Sequence, residues 1–475
     1  MRRAHGRATT GAVPGTNPAV SGRGPSDRPC CWHHQPVGCE GEKGGETCSG
    51  ATRHARMSGA QPGRDPETAS YRPSSTGFDA ASRIPIRKAA ERRVSAIAGL
   101  LALLVAACSG PILANPPAQS ITPAPATPRP STLPDPQPIV FPRDDGPHDR
   151  LTEWWYHTGH LVAEDGRRFG FEAVIFRAER GDFPVSWASH VALTDEDGGR
   201  FHYAQRAQVG PGVDLAPSIS RGPIGFALGM EASAPGGGPS WILFSGPEGD
   251  RITVGLSGAE ALAAGGAFDL DLQLVATRPA VLHDDDGWVD FGPAGGSYYY
   301  SRTRLDVTGT LTLDGAGLRV TGTAWFDHQW GDFISVGGGG WDWFAVNLED
   351  GTDLTISLVR AADGTYPLVY GTLVNTNGTT RRLEGGDLTV EPDIDRTWTS
   401  GRTGATYPAG WTLSVAAEGL VVHLRPTVAD QELDTRATTG VIYWEGSQVV
   451  TATRNGVPLA GEAYVELTGY AKATP

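Results

Sequence analysis

From Glu153 onward the chain is written in short apolar stretches separated by polar turns. Arg168–Arg177 (RFGFEAVIFR) sets aromatic and β-branched residues at a spacing close to two, the period of a strand with a buried face. Leu305–Leu313 and Leu318–Trp325 flank Asp314-Gly315, and this arrangement predicts a tight hairpin. Further Asp-Gly pairs stand at 165–166, 350–351 and 363–364, with Asn-Gly at 377–378 and 455–456. The 3.6-residue period of a long amphipathic helix is absent, and Ala259–Gly265 predicts a turn or two at most. Short strands at regular spacing with glycine-rich turns predict an all-β sandwich or barrel.

Upstream the pattern dissolves. Residues 1–82 are rich in Gly, Arg, Ser and Pro without sustained apolar periodicity. Such a composition buries too little surface to offset chain entropy, so a disordered leader is expected, or upstream sequence read from a start codon chosen too early. Residues 83–108 carry Arg83, Arg87, Lys88, Arg92 and Arg93, then the apolar stretch Val94–Ala107, then Cys108. A basic segment, a short apolar run and small residues make a secretory signal, and the run is too short to span a bilayer comfortably. The cysteine after the small residues resembles a bacterial lipobox, which would make Cys108 the lipidated mature N-terminus. Residues 109–141, with prolines from Pro116 to Pro138, form a stiff tether extending roughly 3.1 Å per residue.

Charge and cysteines fit an exported body. Residues 1–108 hold 15 of the 39 Lys and Arg and 8 of the 53 Asp and Glu, which leaves the remainder at a net charge of −21. Nucleic acid and anionic lipid surfaces are therefore not expected partners. All five cysteines (30, 31, 39, 48 and 108) lie at or before the lipobox, so the folded part has no disulfides. The grouping of Cys30, Cys31, His33, His34, Cys39 and Cys48 matches no standard zinc spacing.

Three stretches concentrate chemistry: Thr152–Leu161 (TEWWYHTGHL), Ala324–Phe333 (AWFDHQWGDF) and Trp341–Phe344 (WDWF). In a strand, His328, Trp330 and Asp332 share one face and Asp327 takes the other, while Glu153, Trp155 and His157 share a face. The first three form the expected inward set. Asp342, between two tryptophans, is a further candidate acid. Tyr298-Tyr299-Tyr300 predicts one ring inward and two toward an interface or the surface. Trp155–Gly166 and Trp341–Gly351 are both aromatic-led strands that run into a Glu-Asp-Gly turn. That loose repeat fits two related barrels, 142–336 and 337–471, joined near Gly337–Gly340, where four glycines suit a hinge or a close backbone approach.

The ordered motifs TEWWYHTGHL after Gly146–His148, AWFDHQWGD, GWDWFAVNLEDGTDL, Tyr443-Trp444-Glu445-Gly446 and Glu462–Tyr470 together resemble the carotenoid 1,2-hydratase/AttH-like family over about 142–471. The resemblance implies two lipocalin-like antiparallel β-barrels in tandem. It also implies a His-x-Trp pair, matched by His328 and Trp330, grouped with a Tyr-x-Asp pair from a later strand. No Tyr-x-Asp occurs in the corresponding region, which holds Asn347, Glu349, Thr355 and Ser357.

Hydrating an alkene calls for a carboxylic acid kept neutral by an apolar wall, aromatic faces for the cation and a base for water. His328, Trp330, Asp332, Asp327 and Asp342 are the candidate catalytic set. Glu153, Trp155, Tyr156, His157, Trp341 and Trp343 are the candidate ligand wall. The structural alternative for both is a buried network closing a barrel. Compact metal-ligand spacing is missing from His157, His160, His328 and Asp332, so neither metal nor cofactor is expected. The absence of a Gly-x-Ser-x-Gly elbow argues against serine hydrolysis. The expected function is a lipid-anchored, lipocalin-like binder of an apolar, isoprenoid-like molecule in the cell envelope, on the outer face of the membrane or in the periplasm. The alternative is a cofactor-independent hydratase or isomerase, and a scaffold for an envelope transporter is a third reading.

Overall fold

The structure, a computed structural model, describes residues 134–219, 223–232, 238–333 and 338–471. The leader, the signal segment with Cys108, the tether before residue 134 and Gly337 lie outside the described residues.

The alternating stretches fold as antiparallel strands. The first group comprises β1 (Thr152–Ala163), β2 (Arg168–Ala178), β3 (Ser186–Asp195), β4 (Arg200–Val209), β5 (Ala227–Met230), β6 (Trp241–Gly246), β7 (Gly249–Gly255), β8 (Phe268–Ala276), β9 (Val281–Leu282), β10 (Trp288–Asp290), β11 (Gly296–Leu313) and β12 (Ala316–Gly331). They build one sheet in the order β4-β3-β2-β1-β12-β11-β8-β7-β6-β5, with β9 and β10 on β11. The predicted hairpin is the β11–β12 turn, where Asp314 and Gly315 take φ of 50° and 82°, the left-handed values a two-residue turn requires. The one α-helix among the described residues, Gly258–Ala263, lies where little helix was predicted.

The second group is β13 (Gly338–Leu348), β14 (Asp353–Ala361), β15 (Leu368–Val374), β16 (Thr380–Glu384), β17 (Leu388–Pro392), β18 (Thr397–Thr399), β19 (Thr406–Pro408), β20 (Trp411–Val415), β21 (Leu420–Pro426), β22 (Glu432–Asp434), β23 (Ile442–Arg454) and β24 (Val457–Thr468). Its sheet runs β16-β15-β14-β13-β24-β23-β21-β20-β17, with β22 on β23 and β18–β19 a separate hairpin. Both groups are nearly closed barrels, in each of which the first strand pairs with the last: Trp155 lies opposite His328, and Trp343 opposite Glu466. The two Glu-Asp-Gly turns that suggested a repeat follow these equivalent first strands.

The gap between β4 and β5 in the first barrel is bridged by Arg206. Fully buried, its guanidinium donates to the carbonyls of Met230 (2.9 Å) and Pro239 (2.8 Å), pairs with Glu260 (2.8 Å) and lies 3.9 Å over the Trp241 ring. The lumen is filled by Trp155, Trp187, Trp241, Phe171, Phe226 and Phe268, so it is a packed core rather than an open calyx.

The barrels pack on each other through the outer faces of β1, β2 and β12 on one side and β13, β23 and β24 on the other. Tyr156, Val174, Trp325, Trp343, Ala345 and Tyr464 form the apolar part of this contact. Gly170 permits the close approach, because a Cβ there would collide with the Tyr464 hydroxyl. Gly340, at φ 97°, abuts the Thr468 backbone in the same way. Buried Asp353 of the second barrel accepts hydrogen bonds from Arg278 (2.7 Å), Arg304 (2.6 Å) and Thr303 (2.7 Å) of the first. Removing one side of a buried ion pair strands the other in low dielectric. Asp353→Ala is therefore expected to cost about 2–4 kcal/mol, since the arginines keep some solvent. The check is the urea midpoint followed by tryptophan fluorescence, and an unchanged midpoint would deny this cluster a role in holding the barrels.

Candidate active site

Strand β1 is buried on both faces, and this decides where the predicted residues go. Glu153, Trp155 and His157 point into the first barrel with His328 and Trp330 of β12, whereas Tyr156, Trp325 and Asp327 face the second barrel. The expected set of His328, Trp330 and Asp332 does not form. β12 ends at Gly331, and Asp332 turns outward, half-exposed, to pair with Arg150 at 2.7 Å. Asp342 also stands apart. It turns with Phe344 toward the interior of the second barrel, near Arg360 (3.5 Å), Tyr366 (3.3 Å) and Tyr470 (3.1 Å), and burial pushes it up to about 6 against the pull of Arg360. Trp341 is partly exposed, and Trp343 lies between the barrels. The tyrosine triplet reverses the expectation: Tyr298 and Tyr300 belong to the first barrel's core, and only Tyr299 faces the second barrel.

Inside the first barrel Glu153 receives His148 Nδ1 at 2.7 Å and His328 Nε2 at 3.0 Å. Burial alone would raise this carboxyl; the two imidazoles more than offset it and hold it below the usual carboxylate range. Nearby His157 Nε2 lies 3.3 Å from Asp250.

The layer between the barrels is electrostatically different. Tyr156 donates to Glu445 (2.6 Å), and Tyr443 donates to Glu172 (2.8 Å) while contacting His190 Nδ1 (2.8 Å). Among the described residues no cation is paired with these acids, and burial dominates them. Glu172 is pushed up to about 8, Glu466 to about 7, and Glu445 well above its ordinary value by burial and by the charges of Glu172 and Glu466. Burial likewise brings Asp327 to about 6, opposed by hydrogen bonds from Ser301, Tyr299 (2.5 Å) and Trp325 (2.6 Å). Glu172 Oε2 and Glu445 Oε2 are buried without a hydrogen-bond partner among the described residues. Trp325 and Trp343 meet edge to face at 6.2 Å alongside. A hollow of about 10 Å³ is bounded by Thr158, His160, Trp325, Ala345 and Tyr464, and Thr158 is the cross-strand partner of Glu172. Neutral acids, phenols and indole faces together can protonate an unsaturated carbon and face the cation that results.

Glu172, Glu445 and Glu466 are absent from the sequence-derived set, although each left a signal. Glu172 interrupts an apolar strand, and Tyr443-x-Glu445 and Tyr464-x-Glu466 are Tyr-x-acid pairs with glutamate where aspartate was sought. They lie across the sheet from His328 and Trp330 rather than beside them.

A family model described as AttH-like matches residues 132–470. The crystal structure of an AttH protein from Nitrosomonas europaea is 32% identical, superposes with a TM-score of 0.59, and is covered over 98% of its length by 71% of this chain. Kievitone hydratase from Nectria haematococca is 19% identical with a TM-score of 0.52, over 93% of its length and 70% of this chain. No curated protein matches the sequence significantly.

Folded, Glu172 keeps its proton to about pH 8 and Glu466 to about pH 7; unfolded, both release it near 4.5. The folded state thus holds more protons across this window, and stability falls as pH rises through it. His148, raised above 6.5, pulls the same way, while His190 and His283, lowered by burial to about 3, oppose it only below 6.5. The thermal midpoint is expected to drop between pH 6.5 and 8.5, less steeply in Glu172→Gln. Equal slopes in the two proteins would contradict a protonated Glu172.

Proposed function

The chain belongs to the AttH-like family, and on that premise we propose that the layer between its barrels is the acid–base centre of a cofactor-independent hydratase or isomerase acting on an unsaturated, largely apolar small molecule. The observation that carries the reading is the pair Glu172, pushed up to about 8, and Glu445, raised well above its ordinary value by burial, each with one oxygen left unpartnered among the described residues beside Trp325 and Trp343. Tyr156 donates to Glu445 Oε1, which leaves the protonated Oε2 free to donate. That proton passes to an alkene carbon, the π pair becomes the new C–H bond, and the indole faces stabilise the cation. In hydration, water adds to the cation and returns a proton to the carboxylate, restoring Glu445. In isomerisation, the carboxylate removes a proton from the neighbouring carbon instead.

Kievitone hydratase is named for a hydration, but at its identity the likeness is one of fold. The reading therefore rests on the acids. The first barrel's lumen is filled by tryptophan and phenylalanine rings, so a carrier would hold its ligand outside that lumen. Export, anchoring at Cys108 and contact with an envelope transporter belong to the proposal as its setting.

The test incubates the purified protein with a membrane extract and with isoprenoid alkenes in ¹⁸O-labelled water, followed by mass spectrometry. A labelled gain of one water, or an isomer of the input, is expected, with turnover about 10²–10⁴-fold lower in Glu445→Gln. An apolar molecule recovered unchanged, and bound equally by both proteins, would replace the enzyme with a carrier.

A further inference from the structure

We infer that His148, Glu153 and His328 form a binding site for a divalent transition metal, with zinc the best match, inside the mouth of the first barrel and separate from the acid layer. One donor atom from each residue lies within 4.8 Å of the others. They are His148 Nδ1, His328 Nε2 and Glu153 Oε1, the oxygen that both imidazoles approach at 2.7 and 3.0 Å. Two imidazoles and one carboxylate are a familiar zinc set, with the fourth position left to water or a ligand. His148 is the one partly exposed member of the three.

The surroundings make the stronger case. A ligating histidine holds its other nitrogen against a carboxylate or a group leading to one. Behind His148, Nε2 lies 3.5 Å from Asp144. Behind His328, Nδ1 lies 3.3 Å from the Tyr300 hydroxyl, which itself donates to Asp145. Asp144 and Asp145 are adjacent and buried in a single turn, Arg143–Asp145, so one short segment backs both rings. Proton directions are consistent throughout. With the inward nitrogens coordinating, each outward N–H has an acceptor, and Tyr300 keeps its proton for Asp145. The second Glu153 oxygen is held by the His148 backbone N–H at 2.9 Å. Ring planes are fixed as well: Trp330 stacks on His148 at 4.1 Å and 1°, and Trp155 on His328 at 4.8 Å and 25°.

In sequence the site was hidden by spacing. His148 and Glu153 are five residues apart across a turn, and His328 arrives from the last strand of the barrel. Because the ligands lack compact spacing along the chain, no metal was expected from the sequence.

The full chain, without an affinity tag, is stripped with a chelator and titrated with Zn²⁺ by calorimetry and with Co²⁺ by visible absorbance. One equivalent is expected, bound at least 100-fold more weakly by His148→Ala and by Glu153→Gln, with Co²⁺ bands lost in both. Asp144→Asn, which leaves all three ligands in place, is expected to weaken binding about 10- to 100-fold. His148 lies outside the strands, so His148→Ala is judged only after circular dichroism matches the parent. The absence of binding by the parent would overturn the inference. So would equal binding by parent and His148→Ala, which would assign the metal to the cysteines and histidines of residues 30–48.

Discussion

The arrangement depends on strands that are buried on both faces. β1, β2 and β12 give one face to the first barrel's lumen and the other to the second barrel, so hardly a residue from Thr152 to Leu161 reaches solvent. A polar group on such a strand must find a partner or give up its charge. The chain uses both remedies. Asp353 is surrounded by arginines, whereas Glu172, Glu445 and Glu466 have no paired cation among the described residues and are driven toward the neutral form. An interface built only to hold two barrels together has no need of the second remedy.

Neighbouring residues of β12 consequently live in opposite chemical settings. His328 looks inward at an ionised Glu153 held by two imidazoles, and Asp327 looks outward at hydroxyls and an indole that only partly offset its burial. One sheet's thickness separates a carboxyl kept charged by its neighbours from carboxyls kept neutral by theirs. Such pushing apart of acid strengths is how a single fold supplies both a proton donor and an anionic ligand.

Much of this was legible in the sequence. Turn pairs such as Asp314-Gly315 and the apolar stretches gave the strands, and the repeated Glu-Asp-Gly turns marked equivalent first strands. Face assignments inside a strand also followed from its period, which is why Glu153, Trp155 and His157 stay together. What could not be read was which face met which partner, because double burial erases the polar–apolar contrast. Asp332 failed for a local reason, since the strand stopped one residue short. Glu445 and Glu466 were in view within quoted motifs, yet their significance depends on standing opposite each other on paired strands, with no cation paired to them among the described residues, a property of assembly. His148 meets His328 only across the closed barrel.

Closing each barrel with its first and last strands makes folding strongly non-local. β1 leaves the ribosome long before β12, and β13 must wait for β24, the last of the described strands. Contacts of such sequence separation slow folding and leave sheet edges unpaired in the interim. Because Tyr464 and Glu466 arrive on β24, the acid layer is assembled only once that strand has been made, and a truncation that removed β24 would take both residues from it while leaving Glu172 and Glu445 in the sequence.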